Sequence, residues 1–132
     1  MSKYVIRRTA SGVKFDLRAA NGQTVATSEV YSTSAACRKG IESVRKCAPA
    51  AHLEDQTEAG FRMLPNPKFE LYADKAGEFR FRLKSRNGKT IAVSEGYTTK
   101  AGCENGIESI RINAAEGEVT EESHCPEFET FR

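Results

Sequence analysis

The sequence predicts an α+β fold in which two similar halves share one antiparallel sheet, with both helices packed on one face. The first observation is a repeat: residues 15–48 and 81–114 align at an offset of 66, and 18 of the 34 aligned positions are identical. The second is an alternation of hydrophobic and polar residues early in each half, which is typical of half-buried strands. The third is a helical spacing of hydrophobic residues later in each half.

Length and composition favour one domain built from two repeats, residues 1–63 and 64–132. The chain has 132 residues, of which 39% are hydrophobic and 29% charged, and these fractions are ordinary for a globular protein. Because a unit of half this size has a thin core, we expect the repeats to share one. No apolar run approaches the roughly 18 residues of a membrane span, and residues 1–12 lack a signal-peptide pattern. We therefore expect a cytoplasmic protein with reduced cysteines and no membrane partner.

The second half shows the predicted strands most clearly. Residues 69–72 begin a strand, and residues 74–77 are turn-like. Residues 78–84 then alternate, so that one face of the strand is apolar and the other is basic: Phe79, Phe81 and Leu83 against Arg80, Arg82 and Lys84. A third strand follows at residues 90–94.

A hairpin signal at residues 87–88 joins the second and third strands. A two-residue loop would place Leu83 opposite Ala92. A three-residue loop, with its glycine left-handed and a G1 bulge, would place Leu83 opposite Ile91 and turn Val93 inward. We predict the bulged turn, because it puts all apolar residues on one face.

A helix follows in each half. Thr98 or Thr99 can cap its N-terminus in the second copy. Its apolar face is predicted from spacings of four, three and four residues, which both copies show: Cys37, Ile41, Val44 and Ala48, and Cys103, Ile107, Ile110 and Ala114. Short strands at residues 53–57 and 118–122 complete the two units.

Gly40 and Gly106 occupy the same helical position in the two copies. Glycine in a helix interior costs about 1 kcal/mol relative to alanine. A glycine held twice therefore predicts a close approach there, either between the two helices or between a helix and the sheet.

Residues 68–114 resemble the repeat of the YegP-like family, a bacterial domain of unknown function that is often present as tandem copies. They read KFELYADKAGEFRFRLKSRNGKTIAVSEGYTTKAGCENGIESIRINA. The first copy departs from this pattern, since residues 4–7 read YVIR and Val30 stands where the second copy has Gly96. The resemblance implies tandem β3-α-β units in one continuous antiparallel sheet, with the C-terminal strands swapped between repeats. It implies no activity, because the family has no established catalytic or binding residues.

A polar set recurs before each helix, and it has two interpretations. Its members are Ser28, Glu29, Tyr31, Ser94, Glu95 and Tyr97. They could form a polar site beside helix N-termini, where backbone N–H groups hold anions. Alternatively, the tyrosines pack and the glutamates sit near the positive helix ends. We favour packing, because carboxylates at that end would repel an anionic ligand.

The cysteines and histidines predict neither a catalytic centre nor a metal site. Cys37 and Cys103 lie on the apolar helical faces and are expected to be small buried hydrophobes, and no histidine recurs beside them as a base. The remaining candidates match no familiar zinc spacing, and we expect them on the surface: Cys47, His52, His124 and Cys125. We predict no catalytic residue, metal or cofactor.

Charge is uneven along the chain, whose formal net charge is +2. Residues 115–132 hold six glutamates and one arginine, so the preceding residues are basic. A basic strip on the second repeat could contact phosphates: Arg80, Arg82, Lys84, Arg86 and Lys89. The strip could also guard an exposed sheet against aggregation. Because Phe79 and Phe81 point inward, we predict no aromatic platform for stacking bases.

These observations favour a small non-enzymatic protein that is an interaction or binding module of unknown ligand. The alternative is a weak nucleic-acid or polyanion binder that uses the basic strip on the second repeat. If the alternative holds, the partner would be nucleic acid. If the first interpretation holds, the partner would be another protein. We expect a monomer, because the duplication already supplies both halves of what would otherwise be a dimer.

Overall fold

Among residues 2–121, which the computed structural model describes, two α-helices lie on one face of an eight-stranded sheet. The predicted order of three strands, a helix and a strand occurs in both copies. The strands are β1 (Lys3–Thr9), β2 (Gly12–Arg18), β3 (Thr24–Thr27), β4 (His52–Asp55), β5 (Lys68–Ala73), β6 (Phe79–Lys84), β7 (Thr90–Ser94) and β8 (Glu118–Glu121). The helices are α1 (Ser34–Cys47), which a 3-10 turn at Ala48–Ala50 extends, and α2 (Lys100–Asn113).

The sheet is mixed, with strand order β4-β5-β6-β7-β3-β2-β1-β8. Antiparallel pairing of β3 with β7 joins the two copies at the centre. At the edges β4 pairs in parallel with β5, and β8 pairs in parallel with β1. The prediction of a wholly antiparallel sheet is therefore wrong at both edges. The twelve residues 56–67 join β4 to β5, and β1 and β8 lie far apart in the sequence, so neither pair is joined by a tight turn, and connections of this length allow parallel pairing.

The predicted three-residue turn is present in both hairpins. In the second copy the Ser85 N–H donates to the Lys89 carbonyl at 2.9 Å, and the Gly88 N–H donates to the Ser85 carbonyl at 2.9 Å. Gly88 has a φ of 84°, the left-handed conformation that this turn requires. Gly22 adopts the same conformation in the first copy, with a φ of 85°.

The predicted register beyond the turn is wrong, because a second bulge follows. It lies between Leu83 and Lys84, so that Leu83 is opposite Ala92 and not Ile91. A bulge sets two consecutive residues against one partner, and both Ile91 and Ala92 are buried in the core. Val93 is turned to the opposite face as a result. The first copy has the same shift, between Leu17 and Arg18.

One apolar core lies between the helices and the sheet. All eight residues of the predicted helical stripes are no more than 1% exposed. The side chain of Thr99 caps α2 by accepting from the Gly102 N–H at 2.9 Å, and Thr33 caps α1 in the same way. Burying each such aliphatic side chain contributes about 1.5–3 kcal/mol, so these stripes fix both helices on the sheet.

The close approach predicted at the helical glycines is confirmed, with a different neighbour. Gly40 and Gly106 are buried. A β-carbon at either position would lie inside van der Waals contact of a tyrosine hydroxyl, from Tyr31 and Tyr97 respectively. The nearest neighbour is therefore a ring from the segment before the same helix and not the other helix, and at Gly106 the ring of Phe81, on strand β6, follows at 3.2 Å.

No helix within residues 2–121 is both long enough and apolar enough to cross a membrane.

Candidate functional site

The face of the sheet opposite the helices carries charged side chains from most of its strands, and we call it the helix-free face. Strand alternation and register assign its residues, since paired residues point to the same side. It carries eight basic and four acidic strand residues: Lys3, Arg7, Lys14, Arg18, Lys68, Arg80, Arg82 and Lys84, with Asp16, Glu54, Glu70 and Glu118. The excess of positive charge makes this face a candidate binding surface.

A buried ion cluster occupies the β4–β5 end of this face. Lys68 Nζ lies 2.7 Å from Glu54 Oε1 and 3.3 Å from Glu70 Oε2. Less than a tenth of each of the three side chains is exposed, and only 1% of Glu54. Arg82 Nε donates to Glu70 Oε1 at 2.5 Å. The cluster therefore links β4, β5 and β6.

Hydrogen bonds keep Glu54 and Lys68 ionised. Burial alone would raise the pKa of Glu54, but hydrogen bonds from Lys68, from the Gln56 amide and from the Leu64 N–H outweigh it and lower the pKa. The hydrogen bond to Glu54 raises the pKa of Lys68. The pKa values of these two groups are shifted away from neutral pH, which does not suit either of them to general acid–base catalysis there.

The equivalent place in the first copy carries the opposite charge. Asp16, which aligns with Arg82 at the offset of 66, accepts from Arg7 Nε at 2.8 Å and from the Thr27 hydroxyl at 2.7 Å. Arg18 lies 3.8 Å from the same carboxylate. At this position the first copy has an aspartate paired with arginines, whereas the second copy has an arginine paired with a glutamate. The face therefore has no two-fold symmetric site at its centre.

The basic strip predicted on the second repeat divides into two parts. Arg80 pairs with Asp74 at 2.7 Å, and the Arg82 guanidinium, already bound to Glu70, stacks 4.3 Å from the centre of the Tyr72 ring. Lys84, Arg86 and Lys89 form no ion pair with any residue between 2 and 121. Their charges are available at the tip of the β6–β7 hairpin, and the role of the strip stays a prediction.

The polar residues before the helices are engaged in the fold. The Ser94 hydroxyl accepts from the Phe81 N–H at 2.9 Å and donates to the Glu95 carbonyl at 2.8 Å. The Tyr97 ring stacks on Phe81 with centroids 6.4 Å apart. The first copy repeats these contacts through Ser28 and Tyr31, and Glu29 and Glu95 are exposed. The contacts fit the packing interpretation, while an anion site there stays an untested prediction.

The described cysteines lie in the core. Burial raises the pKa of Cys37 and of Cys103 to about 11, so each thiol is protonated at neutral pH. Cys47 was expected on the surface, but it is the last residue of α1 and only 6% exposed. It lies three residues after Val44 on the buried side of the helix, and this helical spacing is the signal that indicates its burial.

The histidines contribute no metal site within the described part. His52 is exposed on β4, while His124 and Cys125 lie outside the described residues. Between residues 2 and 121, no three His, Cys, Asp or Glu side chains converge in a way that could hold a metal ion.

Two contacts between repeats were not predicted. Asp55, at the end of β4, lies 2.6 Å from Lys100 at the start of α2. Glu121, at the end of β8, lies 2.7 Å from Arg38 of α1. Asp55 and Glu121 align at the repeat offset, and this recurrence of an acidic residue was the available signal. Each C-terminal strand therefore contacts a helix of the other copy.

Comparison with known proteins identifies a family model and several relatives that match this chain. The profile of a family described as "Domain of unknown function (DUF1508)" matches residues 9–55 and 74–121. A UPF0339 protein of Treponema denticola is 59% identical over 54 residues, which are 41% of this chain and 93% of that protein. The UPF0339 protein YegP of Escherichia coli is 36% identical over 100 residues, or 76% of this chain and 77% of that one.

A solved structure shows the same fold. The solution NMR structure of yegP from E. coli, described as a protein of unknown function, has a TM-score of 0.74 to this chain. The two are 29% identical, and the match covers 92% of each. The resemblance seen in residues 68–114 is thereby confirmed, whereas the repeat boundaries at residues 63 and 64 stay a prediction. The chain belongs to the DUF1508 family, as a two-repeat, YegP-like member.

Proposed function

We propose that this protein is a small, non-enzymatic, cytoplasmic binding module whose ligand surface is the helix-free face. The observation that carries the proposal is the excess of basic side chains on a sheet face that neither α1 nor α2 covers. A broad sheet face with one dominant sign of charge favours an anionic partner over a neutral one.

The chemistry of the polar groups supports a role without catalysis. The buried carboxylate of Glu54 is held as an ion by Lys68. The thiols of Cys37 and Cys103 are held protonated by burial. The Ser94 hydroxyl is bonded on both sides to backbone groups. None of these groups has the poised pKa or the free reach that nucleophilic or acid–base catalysis requires.

A second candidate is a nucleic-acid or polyanion binder that uses only the hairpin end of the basic strip. Lys84, Arg86 and Lys89 favour it, because the carboxylates that neutralise Arg80 and Arg82 do not reach them. Flexible cations at a hairpin tip suit contacts with phosphates, which are largely independent of sequence.

Methyl signals on the two sides of the sheet separate these proposals. The protein is titrated with a single-stranded DNA of about 20 nucleotides, and ¹³C methyl spectra are recorded. If the helix-free face binds, the methyl groups of Thr27 and Val93 should shift, because both lie at its centre. The exposed methyl groups of Ile112, on α2, serve as the control and should not move.

The strip candidate makes a narrower prediction. Changing Lys84, Arg86 and Lys89 together to alanine should then weaken DNA binding about tenfold or more, and should reduce the salt slope by roughly 0.7 for each lost phosphate contact. A matched variant that removes three exposed lysines elsewhere (Lys39, Lys46 and Lys75) controls for net charge. Shifts confined to the helix side would contradict both proposals, and a total absence of shifts would contradict the anionic partner.

We also propose that the repeats exchange their C-terminal strands within one chain, so that the protein is a monomer. Pairing of β4 with β5 and of β8 with β1 supports this, as do the ion pairs of Asp55 and Glu121 with the helices of the other copy. Sedimentation equilibrium should give the mass of a single chain, 14.5 kDa. A stable species of twice that mass would show that the exchange joins two chains instead.

A further inference from the structure

We propose that the helix-free face stacks the bases of single-stranded nucleic acid on two side chains of the second repeat, Tyr72 and Arg82. The guanidinium carbon of Arg82 lies over the Tyr72 ring, 4.3 Å from its centre, and we call the two side chains the Tyr72–Arg82 pair. The inference rests on the proposed function, since it names the chemical class of the anionic partner of that same face. It adds contacts with bases to the contacts with phosphates that the charge of the face favours.

The register places Tyr72 on the helix-free face. Its partner across the β5–β6 ladder is Arg80, while its neighbour Leu71 is buried in the core. The sequence predicted no aromatic platform because the phenylalanines of β6 point inward, but Tyr72 belongs to β5 and supplies a ring on the other side of the sheet. This ring lies between two arginines. Aromatic rings among basic side chains are typical of surfaces that bind single strands.

The fold engages Tyr72 less than the other tyrosines. Tyr4 is fully buried, and its hydroxyl donates to the Ala114 carbonyl at 2.6 Å. The rings of Tyr31 and Tyr97 stack on phenylalanines of the core. Tyr72 is half-buried, and its hydroxyl forms no hydrogen bond with any residue between 2 and 121. Part of this side chain is therefore available to a ligand.

Arg82 is fixed in place before any ligand arrives. Its Nε donates to Glu70, and its guanidinium lies over the Tyr72 ring. About a third of the side chain, 32%, is still exposed. Bases stack on arginine guanidinium planes as well as on aromatic rings. Because two contacts already order this guanidinium, a base that stacks on it costs little further side-chain entropy.

The charges around the Tyr72–Arg82 pair suit a phosphate backbone. The nearby carboxylates of Glu70 and Asp74 are only 9% and 19% exposed, and both are bonded to basic side chains of the sheet. Lys84 lies on the same side of β6 as Arg82, about 7 Å further along the strand. It forms no ion pair with any residue between 2 and 121. A phosphate next to the stacked base can therefore be neutralised by Lys84.

The first repeat lacks an equivalent of this pair. Lys14 aligns with Arg80 at the offset of 66, and its partner across the β1–β2 ladder is Arg7, so no ring stands there. Asp16 takes the place of Arg82. We therefore infer one stacking site in each chain, on the second repeat.

Oligonucleotides with and without bases test the stacking. The two probes are a single-stranded oligothymidylate of about 12 nucleotides and an abasic chain with the same number of phosphates. The parent chain should bind the first at least about tenfold more tightly, because each base that stacks on a side chain contributes about this much. Tyr72→Leu leaves the net charge unchanged and should remove most of this preference, with unchanged affinity for the abasic chain. Tyr72→Phe keeps the ring and should bind both probes as the parent chain does.

Aromatic ¹³C spectra locate the contact in the parent chain. The ring signals of Tyr72 should shift when the oligothymidylate is added, whereas those of Tyr97, which packs on Phe81, should not. Equal affinity of the parent chain for the two probes, or a preference that survives in Tyr72→Leu, would overturn the stacking and leave the proposed function in place. Equal weakening of both probes by Tyr72→Leu would show that the ring only positions Arg82, and would also overturn it. Failure to bind either probe would count against the proposed function as well.

Discussion

Replacing Lys68 by methionine is expected to lower the free energy of unfolding by about 3–5 kcal/mol near pH 7. Methionine keeps the length and apolar stem of the side chain but removes the ammonium group. Glu54, only 1% exposed, then loses its ion pair, and Glu70 keeps only Arg82. A buried carboxylate without a cation is the main source of the loss, because burial penalises its charged form. Urea unfolding of both proteins measures the difference.

The pH dependence of stability in the acidic range should be reversed in the Lys68→Met variant. In the parent chain the pKa of Glu54 is lowered in the folded state, so its contribution to stability is present above the unfolded value of about 4.3 and is lost as pH falls. The pKa of Lys68 is raised, so its contribution is present below about 10.4 and is lost as pH rises through the folded value. Without Lys68, burial should raise the pKa of Glu54 above 4.3, and stability should fall as pH rises from about 4 to 7.

Lys84→Met is the matched control. Lys84 lies directly across the β5–β6 ladder from Lys68, on the same face, but it is half-buried and forms no ion pair with the described residues. Its loss should change the unfolding free energy by no more than about 0.5 kcal/mol. If Lys68→Met were as mild as this control, or if its stability rose from pH 4 to 7, the cluster would not hold β4 on the sheet.

The helices and their buried faces were predictable because local rules determine them. Spacings of three and four residues place Ile107 and Ile110 on one stripe, and a threonine before the helix supplies the cap. Both rules act within a few residues of the chain, and both patterns occur in each of the two copies. The structure accordingly agrees with the sequence at each of these positions.

The register of the third strands was not predictable in the same way. The turn glycine and the alternation of apolar residues allowed one bulge, which fixed Leu83 opposite Ile91. A second bulge is equally consistent with the apolar sequence, because it buries Ile91 and Ala92 together and turns only Val93, which is half-buried, to the helix-free face. The register was predicted by counting residues from the turn. One additional residue in a bulge therefore moves every later side chain of the strand to the opposite face of the sheet.

Long-range partners explain what was missed on the helix-free face. Alternation placed Arg80 and Arg82 outward, and this is what the register shows. Their neutralisation depends on Asp74 and Glu70 being within reach, and the burial of Glu54 depends on β4 pairing in parallel with β5. A four-residue strand carries no local signal of its direction or partner. The sequence therefore could not predict that the carboxylates of Glu54 and Glu70 lie beside the basic residues of this face.

Replacing Gly106 by valine is expected to destabilise the protein by about 3 kcal/mol, the upper part of the range for added groups in a packed interior. A β-carbon there would press on the Tyr97 hydroxyl, 3.0 Å from Cζ of that ring and 3.2 Å from the Phe81 ring. The hydroxyl ends a stiff ring that stacks on Phe81, so it has little freedom to move aside. Asn105→Val, at the exposed neighbouring position, introduces the same residue into the same helix and should change stability by no more than about 0.5 kcal/mol. Thermal unfolding of both variants provides the comparison.

A double-mutant cycle assigns the effect to the tyrosine and not to the helix backbone. Gly106→Ala should gain up to about 1 kcal/mol from helix propensity, but the contact with Tyr97 opposes that gain. In a Tyr97→Phe background the hydroxyl is absent, so the same change should be at least about 1 kcal/mol less unfavourable than in the parent chain. Gly40 and Tyr31 form the equivalent pair in the first copy and should give a coupling of the same sign. Additive effects in both copies would mean that the two glycines are held for some reason other than the tyrosine, and the close approach would lose its explanation.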